Sequence, residues 1–99
     1  MADALNDISL NKLPPYNKEA EQSVLGACIH SQDAIAKALE VLKADDFYKS
    51  THKKIFEVMQ GQFEANEPID VLSLADQLKK KNELEEVGGI EYLSLLEDF

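Results

Sequence analysis

The 99-residue sequence predicts an all-α fold, one compact orthogonal bundle of five to six short helices. Three observations support this prediction. Apolar residues recur at intervals of three and four positions from residue 17 onward, which is the spacing of one helix face. No stretch alternates apolar and polar residues as a strand would. Capping residues, Gly or Pro separate successive apolar stripes. We therefore expect a flexible tail over residues 1–16 and one helical domain over residues 17–99.

The first two helices are each predicted from a cap and an apolar stripe. Pro14-Pro15 opposes helix formation, and Asn17 behind it suits an N-cap. Glu19 and Glu21 then lie near the positive end of the helix dipole. Ser31 suits the cap of the second helix. The two stripes are Ala20, Val24, Ala27 and Cys28, and then Ile35, Leu39 and Leu42.

A connection and a third helix follow. Phe47 and Tyr48 are aromatic residues that we expect to anchor the connection to the core, and Ser50 or Thr51 is the predicted cap of the helix. Gly61 lies within the apolar stripe, where Gly costs about 1 kcal/mol relative to Ala. It therefore indicates either close helix packing or an early C-terminus. The stripe is Ile55, Met59 and Phe63, with Phe56 and Val58 beside it.

The last two helices are separated by a short turn or helical piece over residues 84–87, which Gly88-Gly89 ends. Asp70 suits the N-cap of the fourth helix, which Lys79-Lys80-Lys81 closes at the negative end of its dipole. The final segment is strongly apolar and ends without a cap, so we expect the native chain to continue beyond Phe99. The apolar residues are Val71, Leu74, Ala75 and Leu78 in the fourth helix, and Ile90, Tyr92, Leu93, Leu95 and Leu96 in the last.

The charge balance argues against nucleic acid as a direct ligand. Nineteen acidic residues stand against ten basic ones, all of them Lys, and the formal net charge is −9. Phosphate backbones are bound mainly through cationic contacts, so only a local cluster such as Lys79-Lys80-Lys81 stays open as a nucleic-acid contact. The other interpretation of that cluster is a solvent-exposed helix end. A single cysteine, with neither a bilayer-length apolar run nor a signal peptide, predicts a cytoplasmic protein.

The sequence contains no pattern that predicts catalysis, a cofactor site or a metal site. None of its four Gly belongs to a G-x-x-x-x-G-K-[ST] phosphate loop, although Gly88-Gly89 could present amides to an anion instead of forming a hinge. His30 and His52 lack metal-ligand spacing, and Cys28 lies on an apolar stripe with no base beside it. Asp45-Asp46 could cap a helix, bind a cation weakly or face solvent. We predict no catalytic residue unless Asp45-Asp46 and His52 converge in space.

Four stretches of the sequence carry a resemblance to a known family. The first is residues 14–27, Pro-Pro-Tyr-Asn-Lys-Glu-Ala-Glu-Gln-Ser-Val-Leu-Gly-Ala, and the second is residues 42–56, with Leu-Lys-Ala-Asp-Asp-Phe-Tyr and His-Lys-Lys-Ile-Phe. The third is residues 67–70, Glu-Pro-Ile-Asp, and the fourth is residues 84–93, Leu-Glu-Glu-Val-Gly-Gly-Ile-Glu-Tyr-Leu. In this order they resemble the N-terminal domain of bacterial replicative DNA helicases of the DnaB family.

The resemblance implies a compact helical head without chemistry of its own. In that family a helical hairpin, a linker and a RecA-like motor follow the head, and the motor uses ATP and Mg²⁺ to unwind DNA. No cofactor is therefore expected in this fragment. Head and hairpin form a collar on the hexamer, which recruits primase and is sensed by helicase loaders. As a fragment, the chain is expected to be a monomer or weak dimer without nucleic-acid or membrane contacts. Within the first stretch, Gly26 suits close helix packing.

Two further hypotheses belong to other functional classes. One is a free-standing helical adaptor or regulator with no motor attached. The other is a nucleic-acid-binding helical domain, which the charge balance and the lack of Arg disfavour.

Overall fold

The computed structural model describes Leu13 and residues 17–99, and the all-α prediction is confirmed in that part of the chain. The predicted tail over residues 1–16 lies outside the described residues, apart from Leu13, which packs against the core. None of the described helices has the length and apolar content needed to cross a bilayer. The helices are α1 (Lys18–His30), α2 (Gln32–Val41), the 3-10 helix η1 (Ala44–Asp46), α3 (Ser50–Glu64), α4 (Val71–Lys80) and α5 (Gly89–Glu97).

Three helices begin at the predicted caps. The side chain of Asn17 accepts a hydrogen bond from the Ala20 N–H at 2.9 Å, and that of Ser31 accepts from the Ala34 N–H at 3.2 Å. Asp70 accepts from the Ser73 N–H at 2.7 Å, while the Ser73 hydroxyl accepts from the Asp70 N–H at 3.1 Å. Caps of this kind satisfy amides that the helix leaves unpaired, and each stabilises by about 1 kcal/mol.

The predicted cap of α3 is wrong. The helix begins at Ser50, so its N-cap residue is Lys49. The Lys49 side chain makes no hydrogen bond to the first turn. The Glu21 carboxylate of α1 holds the chain just before the helix, because it accepts the N–H of Tyr48 at 2.6 Å and that of Lys49 at 3.4 Å. A residue distant in sequence therefore fixes the entry to α3.

Phe47 and Tyr48 have opposite environments, so the prediction that both anchor the connection is half wrong. Phe47 is buried and its ring lies 4.9 Å from that of Phe56, whereas Tyr48 is 65% exposed. The backbone at Phe47 is extended, and successive side chains of extended backbone point to opposite sides. The other large buried side chains of the core are Leu25, Ile35, Ile55, Met59, Leu74, Leu78, Leu93 and Leu96.

Helices α1 and α5 pack side by side in the same direction. Gln22 contacts Tyr92 near their N-termini, and the His30 ring contacts the Glu97 carbonyl near their C-termini. Between these contacts a Cβ added to Gly26 would collide with the Leu96 carbonyl oxygen. The prediction that Gly26 permits close helix packing is confirmed.

The other glycines divide into two kinds. Gly61 fits neither predicted role, because α3 continues to Glu64 and a Cβ at Gly61 would meet nothing within 4 Å. Gly88 and Gly89 have φ angles of 114° and 73°, which L side chains rarely adopt. They turn the chain from the 84–88 segment into α5, as the hinge interpretation expects.

Candidate functional site

A cluster of polar side chains lies where α1, α3 and α5 meet, with three members buried and Tyr92 half-buried. We call Glu21, Gln22, His52 and Tyr92 the polar cluster. His52 Nδ1 lies 2.7 Å from Glu21 Oε1, and His52 Nε2 lies 2.6 Å from the Tyr92 hydroxyl. Gln22 Nε2 lies 3.1 Å from the same hydroxyl. Glu21 and His52 are 1% and 0% exposed, so each needs internal hydrogen-bond partners.

The contacts of the polar cluster assign a direction to each of its hydrogen bonds. The Glu21 carboxylate accepts two backbone N–H groups and therefore also accepts from His52 Nδ1–H. The neutral imidazole then presents Nε2 as an acceptor, to which the Tyr92 hydroxyl donates. Gln22 Nε2 donates to the Tyr92 oxygen. A single chain of donors thus runs from Gln22 through Tyr92 and His52 to Glu21.

Burial shifts the acid–base properties of two members of the cluster. Desolvation lowers the pKa of His52, against the opposing hydrogen bond and charge of Glu21. Desolvation also raises the pKa of Tyr92, although its hydrogen bond with Gln22 acts in the other direction. Both shifts favour the neutral forms, which are the forms that the directed hydrogen bonds require.

The order carboxylate, imidazole and hydroxyl also occurs in hydrolytic triads. In a triad the imidazole is accessible to substrate, whereas here it is buried. The imidazole has no exposed surface, and the Glu21 carboxylate is occupied by the entry to α3. A substrate has no route to these two groups in the folded chain. The polar cluster therefore joins three helices.

The residues singled out from sequence do not converge on a second chemical centre. His52 directs its ring nitrogens at Glu21 and Tyr92, while Asp46 accepts the Lys43 N–H at 2.8 Å and Asp45 is exposed. Burial raises the pKa of the Cys28 thiol to about 12, which makes it a poor nucleophile, as its place on an apolar stripe predicted. Within the described ranges, no group of three His, Cys, Asp or Glu residues could hold a metal ion.

The outer surface of the described chain offers apolar side chains. Leu72 is 76% exposed, and Ile90 and Leu95 are each 46% exposed. Ile90 lines a groove beside Gly88 and Gly89. Two carboxylates, those of Glu85 and Glu91, also line this groove, so an anion would be repelled there and the anion-binding interpretation of Gly88-Gly89 is disfavoured.

The polar cluster was not predicted, although periodicity contains its signal. Glu21 stands four residues before Leu25 and seven before Cys28, which places it on the apolar face of α1. His52 stands three residues before Ile55 in the same way. We assigned Glu21 to the helix dipole because acidic residues usually occur in a first turn for that reason. Its partners across the fold are not visible from local spacing.

Comparison with known proteins identifies the family. Residues 13–98 match the family model of the DnaB-like helicase N-terminal domain. The replicative DNA helicase DnaC of Bacillus subtilis (strain 168) is 46% identical over 94 residues, which are 95% of this chain and 20% of that protein. The replicative DNA helicase DnaB of Geobacillus stearothermophilus is 38% identical over 94 residues, or 95% of this chain and 21% of that protein.

A solved structure agrees with the sequence comparison. The crystal structure of the N-terminal domain of DnaB helicase from Mycobacterium tuberculosis superposes with a TM-score of 0.83 at 37% identity, over 87% of this chain and 62% of that one. This chain spans about a fifth of the length of the curated relatives. With the family model matching most of the sequence, the chain belongs to the family of DnaB-like helicase N-terminal domains.

Proposed function

We propose that this chain is the non-catalytic N-terminal domain of a hexameric replicative DNA helicase in the bacterial cytoplasm. Its role is to help assemble the collar of the hexamer and to recruit primase and helicase-loading proteins. ATP-dependent unwinding, with ATP and Mg²⁺, belongs to a motor domain of the parent protein. The family match supports the parent identity, and the net charge of −9 supports protein partners over nucleic acid.

The observation that carries the proposal is the contrast between a closed interior and an apolar surface. The polar residues with catalytic potential are occupied by one another, while Leu72, Ile90 and Leu95 remain exposed. Burial of apolar surface is the dominant favourable term in most protein–protein association. The surface is therefore the part of the domain that is available for function.

Binding can be tested with separately mutated surfaces. The 99-residue chain is titrated by calorimetry with the C-terminal domain of primase and with the loader of the same bacterium. Leu72→Asp, Ile90→Asp and Leu95→Asp are compared with Gln32→Asp, an exposed α2 position that receives the same charge. We expect one of the three apolar variants to weaken binding about tenfold or more. If the folded chain binds neither partner, the proposed recruitment is contradicted.

Assembly and parentage need separate measurements. Sedimentation of the 99-residue chain is expected to show a monomer or weak dimer, and a stable hexamer at micromolar concentration would overturn that expectation. The source gene is expected to encode a G-x-x-x-x-G-K-[ST] phosphate loop downstream of Phe99. A stop codon close to Phe99 would favour a free-standing helical adaptor instead.

A further inference from the structure

Every hydrogen bond of the polar cluster is satisfied when His52 is neutral. Nδ1–H donates to Glu21, and Nε2 accepts from the Tyr92 hydroxyl, whose oxygen accepts from Gln22. The contacts therefore specify the tautomer with the hydrogen on Nδ1. In this state Tyr92 joins α5 to both α1 and α3 through one hydroxyl group.

Protonation of His52 reverses one of these bonds. Nε2 gains a hydrogen, so it faces the Tyr92 oxygen as a donor and no longer accepts from it. That oxygen then receives donors from both His52 and Gln22. Its own hydrogen loses its acceptor within the cluster and must turn away from both donors, so the chain of donors from Gln22 to Glu21 is interrupted at Tyr92.

The charged groups that face His52 oppose one another. On α1, Glu21 favours the imidazolium and Lys18 disfavours it, and Lys49 at the start of α3 also disfavours it. From α5 the titratable group in contact is Tyr92, whose ring also stacks on the imidazole at 5.9 Å between centroids. The connection before α3 contributes the edge of Phe47, which carries no charge. Burial decides the balance and keeps His52 neutral.

We propose that His52 is a pH-sensitive latch, which holds α5 to α1 and α3 through Tyr92 when neutral and loosens α5 when protonated. This inference goes beyond the proposed function and does not depend on a partner. The pKa of His52 is lower in the folded chain than in the unfolded one. The unfolded chain therefore binds the proton first, and the stabilisation is lost as pH falls below the unfolded value of about 6.5.

The test combines the tautomer with local opening. Long-range proton–nitrogen NMR correlations of the imidazoles report the tautomer, and amide hydrogen exchange reports protection from about pH 7.5 to about pH 5, corrected for intrinsic exchange. We expect the Nδ1–H tautomer at the higher pH. We also expect protection of Leu93 and Leu96 in α5 to fall several-fold on acidification, and more than that of Ile35 and Ala38 in α2.

Two variants and a matched control separate the latch from general destabilisation. Tyr92→Phe removes the hydroxyl and is expected to abolish the additional loss in α5, and His52→Gln, which cannot be protonated, is expected to do the same. His30→Gln removes the other histidine, which contacts the α5 backbone at Glu97, and should leave the loss in place. The Nε2–H tautomer, equal loss of protection in α2 and α5, or a loss that disappears only in His30→Gln would each overturn the proposal.

Discussion

The polar cluster and the ion pairs of Lys54 both connect α3 to the C-terminal part of the chain. In the polar cluster, His52 reaches Glu21 and Tyr92 without any exposed surface of its own. Lys54, only two residues later, reaches Glu86 and lies 3.7 Å from Glu83, with side chains that water contacts. The same helix thus makes one buried and one solvated set of polar contacts to the elements around it.

The difference indicates that burial, more than charge, decides how much a polar contact contributes to stability. A buried carboxylate that loses its partners leaves groups that water cannot reach, so the contacts of Glu21 are costly to break. Exposed ion pairs exchange protein contacts for water at little net cost and are screened by salt. Each of the following measurements either widens this contrast between the two regions or removes it.

The largest effect is expected from Glu21→Ala. This substitution removes the acceptor of His52 and of the Tyr48 and Lys49 amides. Because each buried donor left without a partner costs about 1–3 kcal/mol, we expect a loss of about 3–5 kcal/mol in the free energy of unfolding. Glu19→Ala is the matched control, because Glu19 lies on the same helix but is exposed, and it should change stability by no more than about 0.5 kcal/mol. Urea denaturation at neutral pH measures both. Equal losses would contradict the contrast.

A second pair of variants makes the same comparison for packing, with one buried glycine on α1 and one exposed glycine on α3. Gly26→Ala places a methyl group against the Leu96 carbonyl, which is backbone and cannot rotate away, so we expect destabilisation by about 1–3 kcal/mol. Gly61→Ala has open space around it and should stabilise α3 by about 0.5–1 kcal/mol through helix propensity. Thermal denaturation of both variants shows whether each substitution raises or lowers stability. Destabilisation by Gly61→Ala would indicate a packing role that the described residues do not show.

The helices were predictable because their signals are local. The caps Asn17, Ser31 and Asp70 act within one turn, and apolar spacing shows which face of each helix is buried. The entry to α3 was not predictable in this way, because its acceptor is Glu21, which is 27 residues from Tyr48 in sequence. Resemblance to the family gave the class of protein, but it gave no pairing of side chains.

The polar cluster was missed for a related reason. Charged residues on an apolar stripe are ambiguous, since a Glu in a first turn also suits the helix dipole. What shows the buried role of Glu21 is its contact with His52 and, through it, with Tyr92. These residues lie 31 and 71 positions after Glu21 in the sequence. Tyr48 was misplaced because the sequence contains two adjacent aromatic residues, and only the backbone direction shows which of them is inside.

A third measurement tests whether the fold shields the Tyr92 hydroxyl from solvent. The pKa of Tyr92 is raised in the folded chain, so the unfolded chain loses its phenol proton first and stability should decrease as pH rises above about 10. Tyr92→Phe should reduce this decrease. Urea denaturation along a pH series, with tyrosinate absorbance as a second observable, measures it. An unchanged slope in Tyr92→Phe would mean that solvent reaches the Tyr92 hydroxyl as freely as a surface group.

The smallest effect on stability is expected for the Lys54–Glu86 pair, and its dependence on salt distinguishes it from the polar cluster. Glu86 raises the pKa of Lys54, so any stabilisation is present below the unfolded value of about 10.5 and is lost as pH rises through the folded one. A double-mutant cycle of Lys54→Ala and Glu86→Ala should give a coupling close to measurement error that disappears in 1 M salt, where the screening length is about 3 Å. The same cycle with Glu21→Ala and His52→Gln should give a larger coupling that salt barely changes. If both couplings faded together in salt, water would have access to the polar cluster, and burial could no longer explain why one set of contacts on α3 is stronger than the other.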